Sequence, residues 1–415
     1  MRLKFLVSVN KESLPEDTDP ETEFDYVDIG SVGQGDLVEE PHHVSFGGAP
    51  SRARRVARPG DVLISSVRTY LRAVWPVPKT SDPLVVSTGF VVLTPGPSVD
   101  AHYLGWLAQA DIVVNEIVAR SVGVSYPAVN PGDIGDLDVP VFPMERQLEI
   151  ADFLDRAIAT VGEVQAHLRE LQQLLGARRQ LLIHGLVSGS TLPGDRRPGP
   201  PWLETVPADW EVTKLTYVAR LGSGHTPSRS EPSWWENCTI PWITTGEVSQ
   251  MRGDRIERIF ETRERISELG LANSSAVLHP EGTVVLCRTA SAGYSAIMGM
   301  PMATSQDFAT WTCGPRLLPE YLLFCLRAMR EDLLGRLAMG STHQTIYMPD
   351  IEAITIPLPP VEVQVEIVDE VRRLTAQVDS AVDMVESVFS LLAERRHILI
   401  TEAVTGQLEI PLEAA

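Results

Sequence analysis

Apolar residues recur at every seventh position over two stretches of this chain. In the first, Leu154, Val161, Leu168, Leu175 and Leu182 form one series. Ile150, Ala157, Val164, Leu171 and Arg178 form another, offset by three. In the second stretch the same places hold Val371, Val378, Val385, Leu392 and Leu399, beside Ile367, Leu374, Ala381, Val388 and Arg395. Two interleaved series kept through five heptads predict a coiled-coil helix, because a seam of period 3.5 stays on one face of a slightly under-wound helix. Each stretch follows a proline (Pro143, Pro360) and stops at a glycine (Gly189, Gly406), the residues that open and close helices. About 40 residues rising about 1.5 Å each predict a rod on the order of 60 Å.

The two stretches are copies. Shifted by 217 positions, residues 133–189 align without a gap on 350–406, and 20 of the 57 pairs are identical. Glu145/Glu362, Gln147/Gln364, Glu149/Glu366 and Arg178-Arg179/Arg395-Arg396 are among them. A helix with an apolar seam needs a partner, and the other copy is available within the chain. We therefore expect an antiparallel pair about a pseudo-two-fold axis, with the terminal arginines suiting the negative end of each helix dipole.

Before each helix the period changes. "DVLISSV", "GFVVLTP" and "TVVLCRT" read as strands, and residues 98–121 and 318–338 as helices at matching places after them. The expectation is α+β: two globular heads, each a curved sheet with short helices, and two all-α rods. The boundaries are 1–143 for the first head, 144–189 for its helix, 190–200 for a Gly/Pro/Ser-rich linker, 201–360 for the second head and 361–407 for its helix. The heads echo each other weakly, "YVDIGSVGQG" against "WITTGEVSQM" and "PGDVLISSVRT" against "PEGTVVLCRT". A conserved scaffold thus carries two heads free to differ.

Composition changes this picture in one respect. The 415-residue chain has a net charge of −20, which taken alone argues against nucleic acid as a partner. Its distribution says otherwise. Residues 1–40 hold eleven acids and three basic residues, while residues 41–79 hold seven basic residues and one acid, Asp61. A second arginine-rich stretch, Arg252 to Arg265, is diluted by acids. No apolar run approaches a membrane span, and the first residues do not resemble a secretory signal. Cys238, Cys287, Cys313 and Cys325 have no metal-site spacing and read as reduced thiols of a cytoplasmic protein.

Three segments are more specific. "GSGHTPSRSEPSWWENCTIPWITTGEV" (222–248) resembles the opening motif of a target recognition domain in the specificity subunits of type I restriction–modification enzymes. "GSTHQTIYMPDIEAITIPLPPVEVQVEI" (340–367) resembles that domain's exit into the conserved helix, and "ERRHILITEAVTGQLEI" the helix's end. The first half carries a similar exit, "SYPAVNPGDIGDLDVPVFPMERQLEI". The resemblance covers nearly the whole chain in the order domain, helix, domain, helix; residues 1–60 match least. It implies a non-catalytic subunit that binds double-stranded DNA at two half-sites. It also implies two methyltransferase subunits, using S-adenosylmethionine to methylate adenine, and two translocase–nuclease subunits using ATP and Mg. No cofactor or metal is expected in this chain, and no membrane.

The residues themselves offer little chemistry. "VNPGD" at 129–133 lacks the aromatic of an amino-methyltransferase turn, Gly222–Gly224 is an isolated GxG, and no P-loop is present. His279, His343 and His397 are scattered, and Asp350 with Glu352 lacks the lysine of a nuclease site. Base reading is then assigned by residue type, arginine for guanine and Asn or Gln for adenine. The candidates in the first head are Arg52, Arg54, Arg55, Arg68, Thr69 and Tyr70. In the second they are His225, Thr226, Ser228, Arg229, Arg252, Arg255, Arg288, Ser341, His343 and Gln344. Trp234, Trp235 and Trp242 read as core. The competing readings are a duplicated coiled-coil adaptor that binds only proteins, favoured by the net charge, and a related specificity module of another phage-defence system.

Overall fold

The computed structural model describes residues 1–79, 82–338 and 344–410. The two heptad stretches are continuous α-helices of 44 and 45 residues, Met144–Val187 and Val361–Thr405. Both start on the proline carbonyls, which accept from the amides of Gln147 and Gln364 at 3.1 and 3.0 Å. Both end where the backbone turns left-handed, at Gly189 (φ +61°) and Gly406 (φ +73°). A Cβ at Gly189 would lie 2.7 Å from Pro207, and one at Gly406 3.0 Å from the Phe142 ring, so packing as well as φ demands glycine at both stops.

The chain divides into two compact units. One holds residues 1–168 and the described residues from 387 on; the other holds Arg169–Glu386. Each therefore contains one head and half of each long helix. In the first unit, Ile150 and Leu154 from the start of the first long helix share a core with Ile400 and Val404 from the end of the second, under Leu104 and Leu107 of the head. In the second unit, Ile183 and Val187 from the end of the first helix meet Ile367 and Val371 from the start of the second, under Trp311, Tyr321 and Leu322. Within each unit the helices thus run antiparallel, start against end. Each aliphatic side chain so buried is worth about 1.5–3 kcal/mol of transfer free energy.

Of the expected seam, Leu154, Val161, Val371, Val378 and Val385 are buried, and Leu168, Leu175, Leu182, Leu392 and Leu399 half-buried. At the helix ends the buried place steps on by one residue, to Ile183 and Ile400. A straight helix drifts about 20° per heptad against a 3.5 repeat, which carries the contact to the next position. The second series is buried at Ile150 and Ile367, but Val164, Leu171 and Val388 lie at the surface.

Each head contains two main sheets where the hydrophobic pattern suggested one. In the first unit an antiparallel sheet runs in the order Val7–Val9, Phe90–Pro95, Val62–Ser65, Val74–Pro76. A second has the order His42–Ser45, Glu23–Val27, Leu84–Ser87, Ala53–Ala57, with Glu23–Val27 and Leu84–Ser87 parallel. The second unit repeats the plan: Ala219–Ser223, Phe308–Cys313, Val284–Cys287, Ser295–Met298 and Arg258–Ile259 in one sheet, and Glu264–Ile266, Ile240–Ile243 and Ala303–Thr304 in the other. There too the last two strands pair in parallel. The helix expected over 98–121 is broken at Ala110 into Ala101–Gln109 and Asp111–Arg120. The freed Asp111 amide donates to the Thr401 hydroxyl of the second long helix at 3.0 Å.

One repeated residue fastens head to helix in both units. The buried Gln147 side chain accepts from the Asp100 amide (2.8 Å) and donates to the carbonyls of Ser98 (3.0 Å) and Phe142 (2.8 Å). Gln364 accepts from the Leu318 amide (2.9 Å) and donates to Arg316 (2.8 Å) and Pro359 (2.9 Å). Each amide satisfies three backbone groups at the junction of head and helix. Among the described residues no helix is long and apolar enough to cross a membrane, and the four cysteines are free thiols, two of them buried.

Candidate nucleic-acid interface

In the first unit, strand Val62–Ser65 leads into a tight turn. Thr69–Leu71 is a single 3₁₀ turn flanked by Arg68 (φ +50°) and Arg72 (φ +58°), both left-handed. Non-glycine residues adopt this conformation only where surrounding contacts compel it. Here the Arg68 amide donates to the Pro127 carbonyl at 2.8 Å, and Thr69 is hydrogen-bonded to the Ser121 hydroxyl at 2.7 Å. Ser121 gives its own proton to the Ile117 carbonyl (2.8 Å), so Thr69 is the donor. Arg72 pairs with Asp111. Against this turn lies a hairpin closed by Val122 and Ala128, whose amides and carbonyls bond each other at 2.8 and 3.0 Å. The Arg68 guanidinium sits over the Tyr126 ring, 4.7 Å from its centre.

The other first-head candidates lie on or beside strand Ala53–Ala57 of the second sheet. Arg52 pairs with Asp28 at 3.0 Å, and Arg54 covers the Phe46 ring at 4.4 Å. Arg55 is half-buried, and burial lowers its pKa. The turn therefore brings together Arg68, Thr69 and Tyr70 but not the earlier arginines. Thr69 is buried, a strut rather than a contact surface.

In the second unit, Gly224 lets the chain pass against Thr304; a Cβ there would fall 1.9 Å from that residue's carbonyl oxygen. His225 follows, exposed, its amide bonded to the same carbonyl at 3.0 Å. The Thr226 hydroxyl donates to the Gln306 side chain (2.7 Å), and Ser228 shares a hydrogen bond with Ser230 (2.7 Å). Arg229 stacks on Trp235 at 4.0 Å and pairs with Glu264 at 2.7 Å. Trp235 packs edge-on against the buried Trp242, so those tryptophans build the floor under Arg229. Arg288 donates to the Gln306 carbonyl at 3.0 Å, and Gln344 is exposed. Ser341 and His343 lie outside the described residues.

Arg252 and Arg255 separate. Arg252 is exposed, with no side-chain partner among the described residues. Arg255 is engaged by Asp383 (2.7 Å) and Asp379 (3.6 Å) of the second long helix. Between them stands a buried residue that reading by type passed over. Asp254 (φ +58°) accepts from both terminal guanidinium nitrogens of Arg330 (2.8 and 2.6 Å) and from the Gln180 amide (2.9 Å), with Arg327 at 3.4 Å. Its carbonyl accepts from Arg179 and Arg327, each at 2.8 Å. Burial alone would raise its pKa, but the Arg330 hydrogen bonds and the Arg330 and Arg327 charges outweigh that and lower it. Burial takes the Arg327 guanidinium down to about 10. In sequence Asp254 was one acid diluting an arginine-rich stretch; only packing distinguishes it.

Comparison with known proteins gives the chain its relatives. Residues 207–381 match the family described as type I restriction modification DNA specificity domain. The specificity subunit of the type I restriction enzyme MjaIX from Methanocaldococcus jannaschii is 31% identical over 166 residues, 39% of this chain and 37% of that protein. The EcoKI specificity subunit of Escherichia coli is 22% identical over 328 residues, 76% of this chain and 68% of that one. The chain thus spans just over a third of the archaeal relative and about two thirds of the bacterial one. A solved structure described as the basis of assembly and conformational transition of the type I restriction–modification system shares the fold, with a TM-score of 0.67, 24% identity and 98% and 97% of the two chains covered.

Proposed function

We propose that this chain is a specificity subunit of a type I restriction–modification enzyme, and that its two heads read the two halves of a bipartite, asymmetric DNA site. The subunit directs adenine methylation and ATP-dependent cleavage by its partners and performs neither reaction itself. Two methyltransferase subunits bring S-adenosylmethionine, and two translocase–nuclease subunits use ATP and Mg. The complex works in the cytoplasm on double-stranded DNA.

The observation that carries this reading is a contrast within the repeat. Gln147 and Gln364 hold their heads by the same three hydrogen bonds on duplicated helices, and the strand orders correspond. The surface loops do not. The turn after the central strand carries Arg68, Tyr70 and Leu71 in the first unit, whereas its counterpart after Val284–Cys287 carries Ala290, Ser291 and Ala292. Frames that match and loops that differ suit two readers of different sequences. Phosphate contacts can be shared with partner subunits, so a net charge of −20 is compatible with DNA binding.

The test is methylation mapping of DNA from cells expressing the chain with the methyltransferase encoded beside it. A two-part motif, methylated on both strands across a fixed spacer, is the expected result. Replacing residues 1–143 by another head should change one half of that motif. An active methyltransferase that leaves no motif would refute the reading.

A further inference from the structure

We infer that the turn Arg68–Arg72 and the hairpin around Val124 form one preformed DNA-contacting edge of the first unit. Arg68 hydrogen-bonds to bases or phosphates there, and Val122 and Val124 make apolar contact inside a groove. This rests on the heads being DNA readers, and goes beyond it by joining to the turn a hairpin that residue-type reading did not select.

The first support is exposure. Val124 is 101% exposed, Val122 81% and Tyr126 65%, and Tyr70 and Leu71 are exposed on the facing turn. Scattered single apolar side chains are ordinary on a surface, but five on two adjoining loops mark a contact. The second is rigidity. Two left-handed arginines, the Thr69–Ser121 hydrogen bond and the Val129 amide on the Ser66 carbonyl (2.9 Å) over-determine both loops. Conformational strain held in place this way is commonest at functional sites.

The third support is charge, and it selects the partner. Neither 66–72 nor 121–128 contains an acid, in a chain that carries an excess of twenty. Arg68 has an aromatic partner and no carboxylate among the described residues. A guanidinium stacked by its face keeps its in-plane N–H groups free, the geometry that suits phosphate or the guanine edge. Valine methyl groups suit the thymine methyl or the walls of a minor groove. By contrast the guanidinium groups of Arg52 and Arg58 are already held by Asp28 and Glu12.

The experiment places a cleaving probe on the edge. Val124→Cys, labelled with a tethered iron chelate, is assembled with the methyltransferase subunits on DNA carrying the methylated motif. Hydroxyl-radical cuts confined to one half-site are expected, with the unsubstituted chain treated identically to control for Cys238 and Cys313. Specific binding without such cuts would overturn the proposal, as would cleavage of the methyltransferase polypeptide in their place. Failure of the unsubstituted complex to bind any motif would instead overturn the DNA-reader assignment. In a second arm, Arg68→Ala and the double variant Val122→Ser with Val124→Ser should each weaken specific binding by roughly tenfold or more. These side chains are exposed, so folding should be spared; unchanged affinity in a folded variant counts against the edge.

Discussion

The Tyr103 hydroxyl donates to the backbone carbonyl of Val404 at 3.2 Å, across 301 residues of chain. Val404 lies in the last turn of its helix, where carbonyls have no partner within the helix. In the other unit the Tyr321 hydroxyl lies 3.5 Å from the Val187 carbonyl and 3.1 Å from that of Pro357. Val187 and Val404 are equivalent places in the repeat. Each head therefore closes on the end of the other copy's helix, through a tyrosine whose burial raises its pKa and keeps it protonated.

Tyr103→Phe should cost about 1 kcal/mol, because one buried carbonyl loses its donor while the ring still packs. The melting temperature of the first unit should fall by about 2–4 °C. Calorimetry together with hydrogen exchange at residues 101–120 would check both. An unchanged melt would show that the hydroxyl supports nothing.

Gln147→Leu and Gln364→Leu should be harsher. Each strands one amide and two carbonyls at a buried junction, at about 1–3 kcal/mol per group. Hydrogen exchange should quicken in the substituted unit and leave the other near its original rates. Equal acceleration in both would contradict two separately locked units.

Asp254→Asn should destabilise the second unit by about 3–5 kcal/mol at neutral pH, since it leaves Arg327 and Arg330 without their counter-charge. The lowered pKa sets the pH dependence. Stability from this carboxylate is complete above its unfolded pKa of about 3.9 and is lost as pH falls through the lower folded value. Acid unfolding of the parent chain should therefore include a component below about pH 4 that the variant lacks. Denaturant titrations at several pH values would resolve it.

Arg252→Ala should weaken DNA binding and, if it meets phosphate, reduce the salt slope by about 1. Arg255→Ala should instead act on stability, because its charge is spent on Asp379 and Asp383. Binding isotherms at three salt concentrations would separate them. The same slope loss in both would mean that Arg255 releases the helix when DNA binds.

What the sequence disclosed follows from the range of the forces involved. The long helices were legible because a heptad writes its packing into local spacing and is bounded by Pro143, Gly189, Pro360 and Gly406. The heads were not. Their strands are two to six residues long, and the parallel pairing of Tyr26 with Val85 joins segments that share no local signal. Arg55 and Thr69 looked like surface contacts by residue type, yet one is half-buried and the other is a strut. The Val122–Ala128 hairpin was not legible: its second half, from Ser125, reads as part of the exit into the next helix, and nothing in "SVGVSYPA" announces that its valines face outward. Asp254 needed four partners from two distant segments, Arg179 with Gln180 and Arg327 with Arg330, before it could be recognised.

The shared core of Ile150, Leu154, Ile400 and Val404 has a bearing on how the protein is made. Residues 169–386 are contiguous, so the second unit can fold as soon as they clear the ribosome. The first unit is synthesised earlier, yet it waits with an open hydrophobic cleft until residues near 400 emerge. At about 5–20 residues per second, that wait runs from roughly ten seconds to the better part of a minute. Translation order and folding order are thus inverted, and during synthesis it is the earlier-made head that is exposed to aggregation and to chaperones.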